Sequence, residues 1–240
     1  MKSGRVDIDS KAVDHSSFRN PNQSAHNWLV FKIHDRALRE YLQHYASGIL
    51  VDIGCGEKPY AAMTREFVSQ HIGVDHLNTE HARNHIDVFG SAYDTTLDNA
   101  FADTILCTVV LEHLERPQDA IREMHRILKP GGCVILSAPL FWHLHEEPRD
   151  FFRYTSYGLE YLFDAAGFEV VEMRALSGFV VTFGQELCYF LTRFQRWPLR
   201  LLVRVVQFTI QRIAYLLNRW DRSDRFSWAH LLVARKPKVD

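Results

Sequence analysis

The four cysteines of this 240-residue chain include no CxxC pair, so neither a zinc ribbon nor a dithiol redox motif is available. Cys55, Cys107, Cys133 and Cys188 are widely separated, and three of them fall in strands or turns expected in the core, as free thiols in a reducing compartment would. No apolar run approaches the ~20 residues of a membrane-spanning helix. The first dozen residues are polar and mixed in charge, without the apolar stretch of a secretory leader. These absences lead to the expectation of a cytoplasmic protein, with a peripheral place on the inner face of the membrane left open. A basic excess is missing as well, since 28 Lys and Arg stand against 29 Asp and Glu. A surface built throughout for phosphate backbones is excluded, nucleic acid is the less expected partner, and any basic patch must be local.

What is present is enough apolar content, 47% of residues, to bury one substantial core. The stretch that organises the chain is Ile49-Leu-Val-Asp-Ile-Gly-Cys-Gly-Glu-Lys-Pro-Tyr60. Its apolar start reads as a buried parallel strand, Gly54 and Gly56 loosen the backbone at the carboxyl end, and Pro59 suits the first turn of a helix expected over Pro59 to Ser69. His71-Ile-Gly-Val-Asp75 then reads as a second strand ending in an acid. A carboxylate about 20 residues past a glycine turn is where a nucleotide-binding α/β unit places its acceptor for ribose hydroxyls.

In Asp52-Ile53-Gly54-Cys55-Gly56 the chain resembles the class I S-adenosylmethionine-dependent methyltransferases, whose first motif runs acid-x-Gly-x-Gly. Lys58 stands where that motif commonly has a third glycine. The resemblance implies S-adenosyl-L-methionine as cofactor, with Asp52, Gly54, Cys55, Gly56, Asp75 and His76 around its amino-acid and ribose parts. Main-chain amides of the bend, on this reading, receive the amino-acid tail, and Asp52 accepts from N–H groups near it. The family's acid for the adenine amino group is replaced by Ser91, whose hydroxyl can accept, while the N–H of Ala92 can reach the ring. Thr108 and His113, at and after the fourth strand Phe101 to Thr108 and its Leu-Glu-His tripeptide, complete the implied cofactor set.

Periodicity fills in the rest. Trp28, Phe31, Ala37, Leu38 and Leu42 mark a helix before the first strand, which in the resembled family often closes over the cofactor. Residues up to about Asn27 read as a loose arm. Ala120, Ile121, Met124, Ile127 and Leu128 share one face of a helix opened by Pro117, and Lys129-Pro-Gly-Gly132 reads as the turn feeding a strand Cys133 to Ala138. A loop then carries His145, Pro148, Asp150, Arg153, Tyr154 and Thr155 in register with a segment of a methyltransferase subgroup. Loops leaving the carboxyl ends of strands face ligands in open α/β sheets, so Asp150, Arg153 and Tyr154 are expected to bind the acceptor. His145, then His143, are the candidate bases, because imidazole titrates near neutral pH. A metal site from His143, His145 and Glu146 has suitable ligand types but no evident further shell, and no metal is expected.

Phe168 to Arg174 and Trp228 to Arg235 read as the last two strands, separated by about fifty residues, too many for a structureless connection. From Leu187 to Trp220 this insertion has six arginines and no acid. Arg196, Arg200, Arg204, Gln207 and Gln211 form one helical stripe, with Leu201, Leu202, Val205, Phe208 and Ile213 on the rest. A basic amphipathic helix over 187–220 can lie on an anionic membrane, pack on the body, or bind a second copy in a homo-oligomer. The expected fold is α/β, Rossmann-like and doubly wound. Its mostly parallel seven-stranded sheet ends in an antiparallel strand, with a helical insertion before that strand. The expected organisation is an arm and capping helix over 1–47, the methyltransferase domain over 48–176 and 226–240, and the insertion over 177–225. The function this implies is methyl transfer to a small-molecule, glycan or lipid-linked acceptor. Two competitors stand beside it: a catalytically inactive binding or assembly protein docked through its helices, and an RNA methyltransferase using the arginines and aromatics.

Overall fold

A computed structural model describes residues 23–77, 85–221 and 223–238. The expected arm therefore lies, through residue 22, outside the described residues. The elements run α1 (Trp28–Tyr45), β1 (Ile49–Ile53), α2 (Ala61–Thr64), β2 (Gln70–Asp75), β3 (Val88–Phe89), β4 (Ala102–Thr108), α3 (Pro117–Ile127), β5 (Leu128–Pro139), α4 (Ser156–Ala165), β6 (Glu169–Ala175), α5 (Phe179–Thr192), α6 (Arg200–Leu217) and β7 (Ala229–Arg235). One seven-stranded sheet has the order β3-β2-β1-β4-β5-β7-β6. β7 is antiparallel to both its neighbours, and the remaining pairings are parallel. The order reverses at β1, so the crevice outside the carboxyl ends of β1 and β4 is where this topology opens a ligand site.

Two apolar layers sandwich the sheet. On one face Ile121, Met124, Ile127, Leu159 and Phe163 of α3 and α4 pack on Val51, Ile105, Val134 and Leu232. On the other, Leu29, Leu38 and Leu42 of α1 pack with Val181 of α5 and Ala214 of α6 on Leu50, Leu106, Ile135 and Leu231. Local chemistry sets the helix ends: Pro117 occupies the first turn of α3, with Asp119 there and His125 and Arg126 in the last turn, each matched to the helix dipole. The Thr155 hydroxyl caps α4 by accepting from Gly158 N at 3.0 Å.

Three expected details differ. The helix after the glycine bend is the four-residue α2, with Pro59 in the turn before it. A short acidic-free stretch with Thr64 hydrogen-bonded back to Ala61 O leaves the main chain to turn early toward β2. Lys129 to Gly132 lies within β5, where the register jumps from Ala102↔Leu128 to Thr104↔Cys133. It is a bulge instead of a leading turn, with Gly131 at φ +83° and its N–H bonded to Lys236 O. The insertion carries two helices, and the glutamines of its stripe face inward. Gln207 Nε2 donates to Cys188 O at 2.7 Å, and Gln211 accepts from Leu29 N at 3.0 Å. The leucines face outward.

Candidate functional site

The glycine bend leaves β1 with Gly54 at φ +70° and Gly56 at φ +50°. A Cβ on Gly54 would sit 2.6 Å from Val110 Cγ2, so both conformation and space require glycine there. Four amides of the bend are taken within the protein, contrary to expectation. Gly54 N and Cys55 N donate to Val74 O at 2.9 and 3.2 Å, and Lys58 N to Cys55 O at 2.8 Å. Gly56 N donates to Asp75 Oδ2 at 2.9 Å. The bend thus offers close approach, and its hydrogen bonds fasten it to β2. Lys58 takes the left-handed backbone that a third glycine would supply, at φ +50°. Its ammonium reaches Asp87, which also accepts from Gly73 N at 2.7 Å. Gly73 makes this possible, because a Cβ there would stand 2.3 Å from Lys58 Cε.

Asp75 is buried, with Oδ2 on Gly56 N and Oδ1 accepting from His76 N at 2.7 Å. Asp52 does not reach the bend amides: its Oδ2 accepts from His71 Nε2 at 3.1 Å, and Thr64 Oγ1 lies 2.8 Å from the other ring nitrogen. It anchors β1 to β2 and α2. Cys55 is buried, and burial, then the Asp52 charge, pushes its thiol up to about 12, so it serves as packing. The Ser91 hydroxyl accepts from Tyr93 N at 3.2 Å and Asp94 N at 3.1 Å. With both lone pairs used it is left to donate, which reverses its expected role. Ala92 packs on the core edge, and Thr108 ends β4 opposite Ser137. α1 reaches the same end of the sheet, where His34 Nε2 lies 3.0 Å from Ser137 Oγ and Tyr60 OH 3.2 Å from His34 Nδ1.

The loop after β5 is internally braced. Arg153 donates through NH1 and NH2 to the two oxygens of Asp150 at 2.6 and 2.7 Å. Its other N–H groups go to the carbonyls of Trp142, His143 and Phe152, which uses all five. Asp150 also accepts from His145 N at 2.9 Å. The Arg153 hydrogen bonds hold its carboxyl far below the usual range. Tyr154 is buried and donates to Leu111 O at 3.0 Å. Asp150, Arg153 and Tyr154, expected at the acceptor, are therefore positioning residues of the loop. His143 turns away to Glu186 of α5, whose two oxygens lie 3.2 Å from Nδ1. Nothing in the sequence pattern marked Glu186, since its partner lies 43 residues earlier.

His145 instead meets Glu112 and His113. The two imidazoles are edge-on with centroids 4.7 Å apart, and each Nε2 is 3.9 Å from Glu112 Oε1. The Glu112 carbonyl accepts from Phe151 N and Phe152 N at 2.9 and 3.2 Å, which ties the loop after β4 to the loop after β5. Its side chain is fully buried, and burial pushes the carboxyl up to about 8. Burial, then the neighbouring His113, lowers the His145 proton affinity. His113, expected at the cofactor, gives its Nδ1–H to Arg149 O and so faces the acceptor loop.

Residues 51–136 match a family model described as a methyltransferase domain. Over 67 residues the chain is 39% identical to the ubiquinone/menaquinone biosynthesis C-methyltransferase of Rubrivivax gelatinosus, covering 25% of this chain and 27% of that protein. Over 117 residues it is 26% identical to a probable S-adenosylmethionine-dependent methyltransferase of Mycolicibacterium smegmatis, covering 45% of each. The matched stretches span less than half the length of either curated relative. Residues 51–136 carry a class I S-adenosylmethionine-dependent methyltransferase domain. The fold agrees: a phosphoethanolamine N-methyltransferase of Haemonchus contortus in complex with S-adenosyl-L-methionine superposes with a TM-score of 0.57 at 16% identity, over 89% of this chain and 56% of that one.

The donor set of this methyltransferase domain fits S-adenosylmethionine. Each Asp75 oxygen holds one N–H, and an ionised carboxylate has about four lone-pair sites, so acceptor capacity for two ribose hydroxyls remains. The bound cofactor would supply an activated methyl group on a sulfonium. Asp75 would hold its sugar, the Gly54–Gly56 bend would let it approach the backbone, and the loops after β4 and β5 would orient the acceptor.

Proposed function

We propose that the protein transfers a methyl group to a lipid-linked or glycan-precursor acceptor at an anionic membrane surface. The observation that carries this reading is the inverted amphipathicity of α6. Val203, Gln207, Gln211 and Ala214 face the body, while Leu201, Leu202, Val205, Phe208 and Ile213 are exposed. α5 adds exposed Phe179, Phe183, Leu187 and Phe190, and Trp197 between the helices is 93% exposed. Arg193, Arg196, Arg200, Arg204, Arg212 and Arg219 are all exposed around this surface, which has no acid between 187 and 220. Among the described residues no helix is long and apolar enough to cross a membrane. An apolar face rimmed by arginines suits the interface of anionic lipid, at about 1 kcal/mol for each cation near the surface.

The acceptor loop is joined to this hairpin. His143 pairs with Glu186, its ring lies tilted against Tyr189 with centroids 4.3 Å apart, and Trp142 packs on Tyr189 and Trp228. An acceptor held by a membrane would therefore be presented beside Glu112 and His145. The test is transfer of a labelled methyl group from S-adenosylmethionine into membrane extracts and aqueous metabolites, separated after incubation with the protein. Label in the lipid phase is expected; label confined to water-soluble products would overturn the acceptor class.

A further inference from the structure

The Glu112 carboxyl is buried beside two imidazoles that could share a metal ion with it. It is fully buried, and neither oxygen has a hydrogen-bond partner among the described residues. A buried carboxylate left without donors is costly, and protein interiors resolve that cost with a proton, a counter-charge or a metal. Two imidazoles lie beside it, each with Nε2 3.9 Å from Oε1. Glu112 Oε1, one nitrogen of His113 and one of His145 all lie within 4.8 Å of one another.

We infer that Glu112, His113 and His145 bind a divalent transition-metal ion through one carboxylate oxygen and two imidazole Nε2 atoms. One support for this donor set is already built. The His113 Nδ1–H is used on Arg149 O, which fixes the tautomer that leaves Nε2 with its lone pair. His145 Nδ1 faces Asp150 Oδ2 at 3.3 Å, and Asp150 is held in turn by the Arg153 fork. His113 thus has the carbonyl hydrogen bond found behind metal ligands, and His145 Nδ1 has a carboxylate nearby without a hydrogen bond to it. Around an ion with bonds of ~2.0–2.2 Å, ligand atoms stand ~3–3.5 Å apart, so the set contracts on binding from Glu–His distances of 3.9 Å and an overall spread within 4.8 Å.

Two imidazoles and one carboxylate suit zinc, iron(II), cobalt(II) or manganese, and leave coordination positions open. Glu146, whose Oε2 is 3.7 Å from His113 Nε2 and whose side chain is mostly exposed, borders the open side. The ligands come from the loops after β4 and β5, so that side opens at the carboxyl ends of adjacent parallel strands. The set weighed from sequence, His143 with His145 and Glu146, is not the one that converges, because His143 is held by Glu186. A consequence that rests on the methyltransferase reading is the acceptor class: an oxygen ligand, such as a hydroxyl or carboxylate, is what an open position would hold.

The whole chain, stripped with a chelator and returned to metal-free buffer, is titrated with cobalt(II) by visible absorption and with zinc(II) by calorimetry. Expected is a single tight ion per chain, with a cobalt spectrum showing imidazole ligation. Glu112→Gln and His145→Asn should each weaken binding by ~10-fold or more, while His44→Asn, on the exposed edge of α1, leaves it unchanged. Circular dichroism checks that each variant is folded, and having two ligand variants keeps the test open if one is not. Wild-type protein that takes up no stoichiometric ion, or ligand variants that bind as wild type does, would overturn the inference. S-adenosylmethionine titrated into the same samples separates the two readings: cofactor binding without metal binding removes only the metal site, and the converse removes only the methyltransferase reading.

Discussion

The double substitution Leu201→Ala, Leu202→Ala tests the membrane reading where it is most exposed to failure. The two side chains are 74% and 60% exposed on α6, so the folded protein gains little from them. Each change deletes about three methylene equivalents at ~0.8 kcal/mol apiece, which, scaled to the exposed fraction, totals about 3 kcal/mol of lost transfer into lipid. That corresponds to a drop on the order of 100-fold in the vesicle partition coefficient. The assay is flotation with vesicles rich in phosphatidylglycerol, against vesicles of phosphatidylcholine alone. Wild type should float with the anionic vesicles, less so at high salt because the arginine contribution is screened. The variant should stay at the bottom of the gradient with an unchanged melting temperature. If α6 packs on a masking partner instead of lipid, both proteins will remain unbound. An equal partition of wild type and variant would refute the reasoning even if both bound, since then the leucine face takes no part.

Gly54→Val should abolish S-adenosylmethionine binding in calorimetry, because a β-branched residue must adopt φ +70° against Val110; unchanged affinity would show that the bend is not the site. Arg153→Lys removes the fork from Asp150 and the three carbonyls. Roughly 2 kcal/mol of stability should be lost in urea titrations, with faster proteolysis of the loop after β5, and a variant as stable as wild type would argue against its bracing role. His230 is buried on β7 with neither ring nitrogen hydrogen-bonded among the described residues, and burial lowers its proton affinity. Its folded-state pKa lies below the unfolded value of 6.5, so the unfolded chain takes up the proton first. The contribution is complete above that pH and is lost as pH falls below it. His230→Leu should therefore flatten the acid side of the stability profile, measured by urea titration at neutral and mildly acid pH, and an unaltered slope would refute this.

Much of the frame was legible because it depends on short-range rules. The apolar run Ile49 to Ile53, the alternating helices and strands to Ala175, and the 19-residue step from Gly56 to Asp75 follow from local period and from the span of one strand-helix-strand unit. What was not legible depends on which neighbour a side chain meets. Periodicity placed Arg196, Arg200, Arg204, Gln207 and Gln211 on one helical stripe, but α6 starts only at Arg200, the arginines are exposed, and the two glutamines are turned inward by hydrogen bonds with Leu29 N, Ala25 O and Cys188 O. A polar side chain buried with complete hydrogen bonding defeats any rule that sends polar residues outward. Arg153 and Asp150 read as acceptor ligands by position, yet their pairing at i, i+3 closes them on each other. Glu112 and His145 lie 33 positions apart and meet only because β4 and β5 are adjacent and parallel.

The same glutamines bear on what covers the outer face of the hairpin. Ordinary surface helices turn leucines inward, and here the seam between α5 and α6 is instead closed by Gln195, Gln207 and the Cys188 carbonyl. Such a seam fixes one register through directed hydrogen bonds and leaves the outward leucines and phenylalanines exposed among the described residues. Two occupants could relieve that exposure, a second copy of the chain or a lipid surface. A two-fold dimer would bring the same patch against itself, and so gather the arginines of both copies into one interface with no acid from 187 to 220 to offset them. Like charges at an interface core cost several kcal/mol. An anionic membrane reverses that sign for every arginine and accepts the leucines and phenylalanines together, so charge, more than hydrophobicity, favours lipid as the occupant.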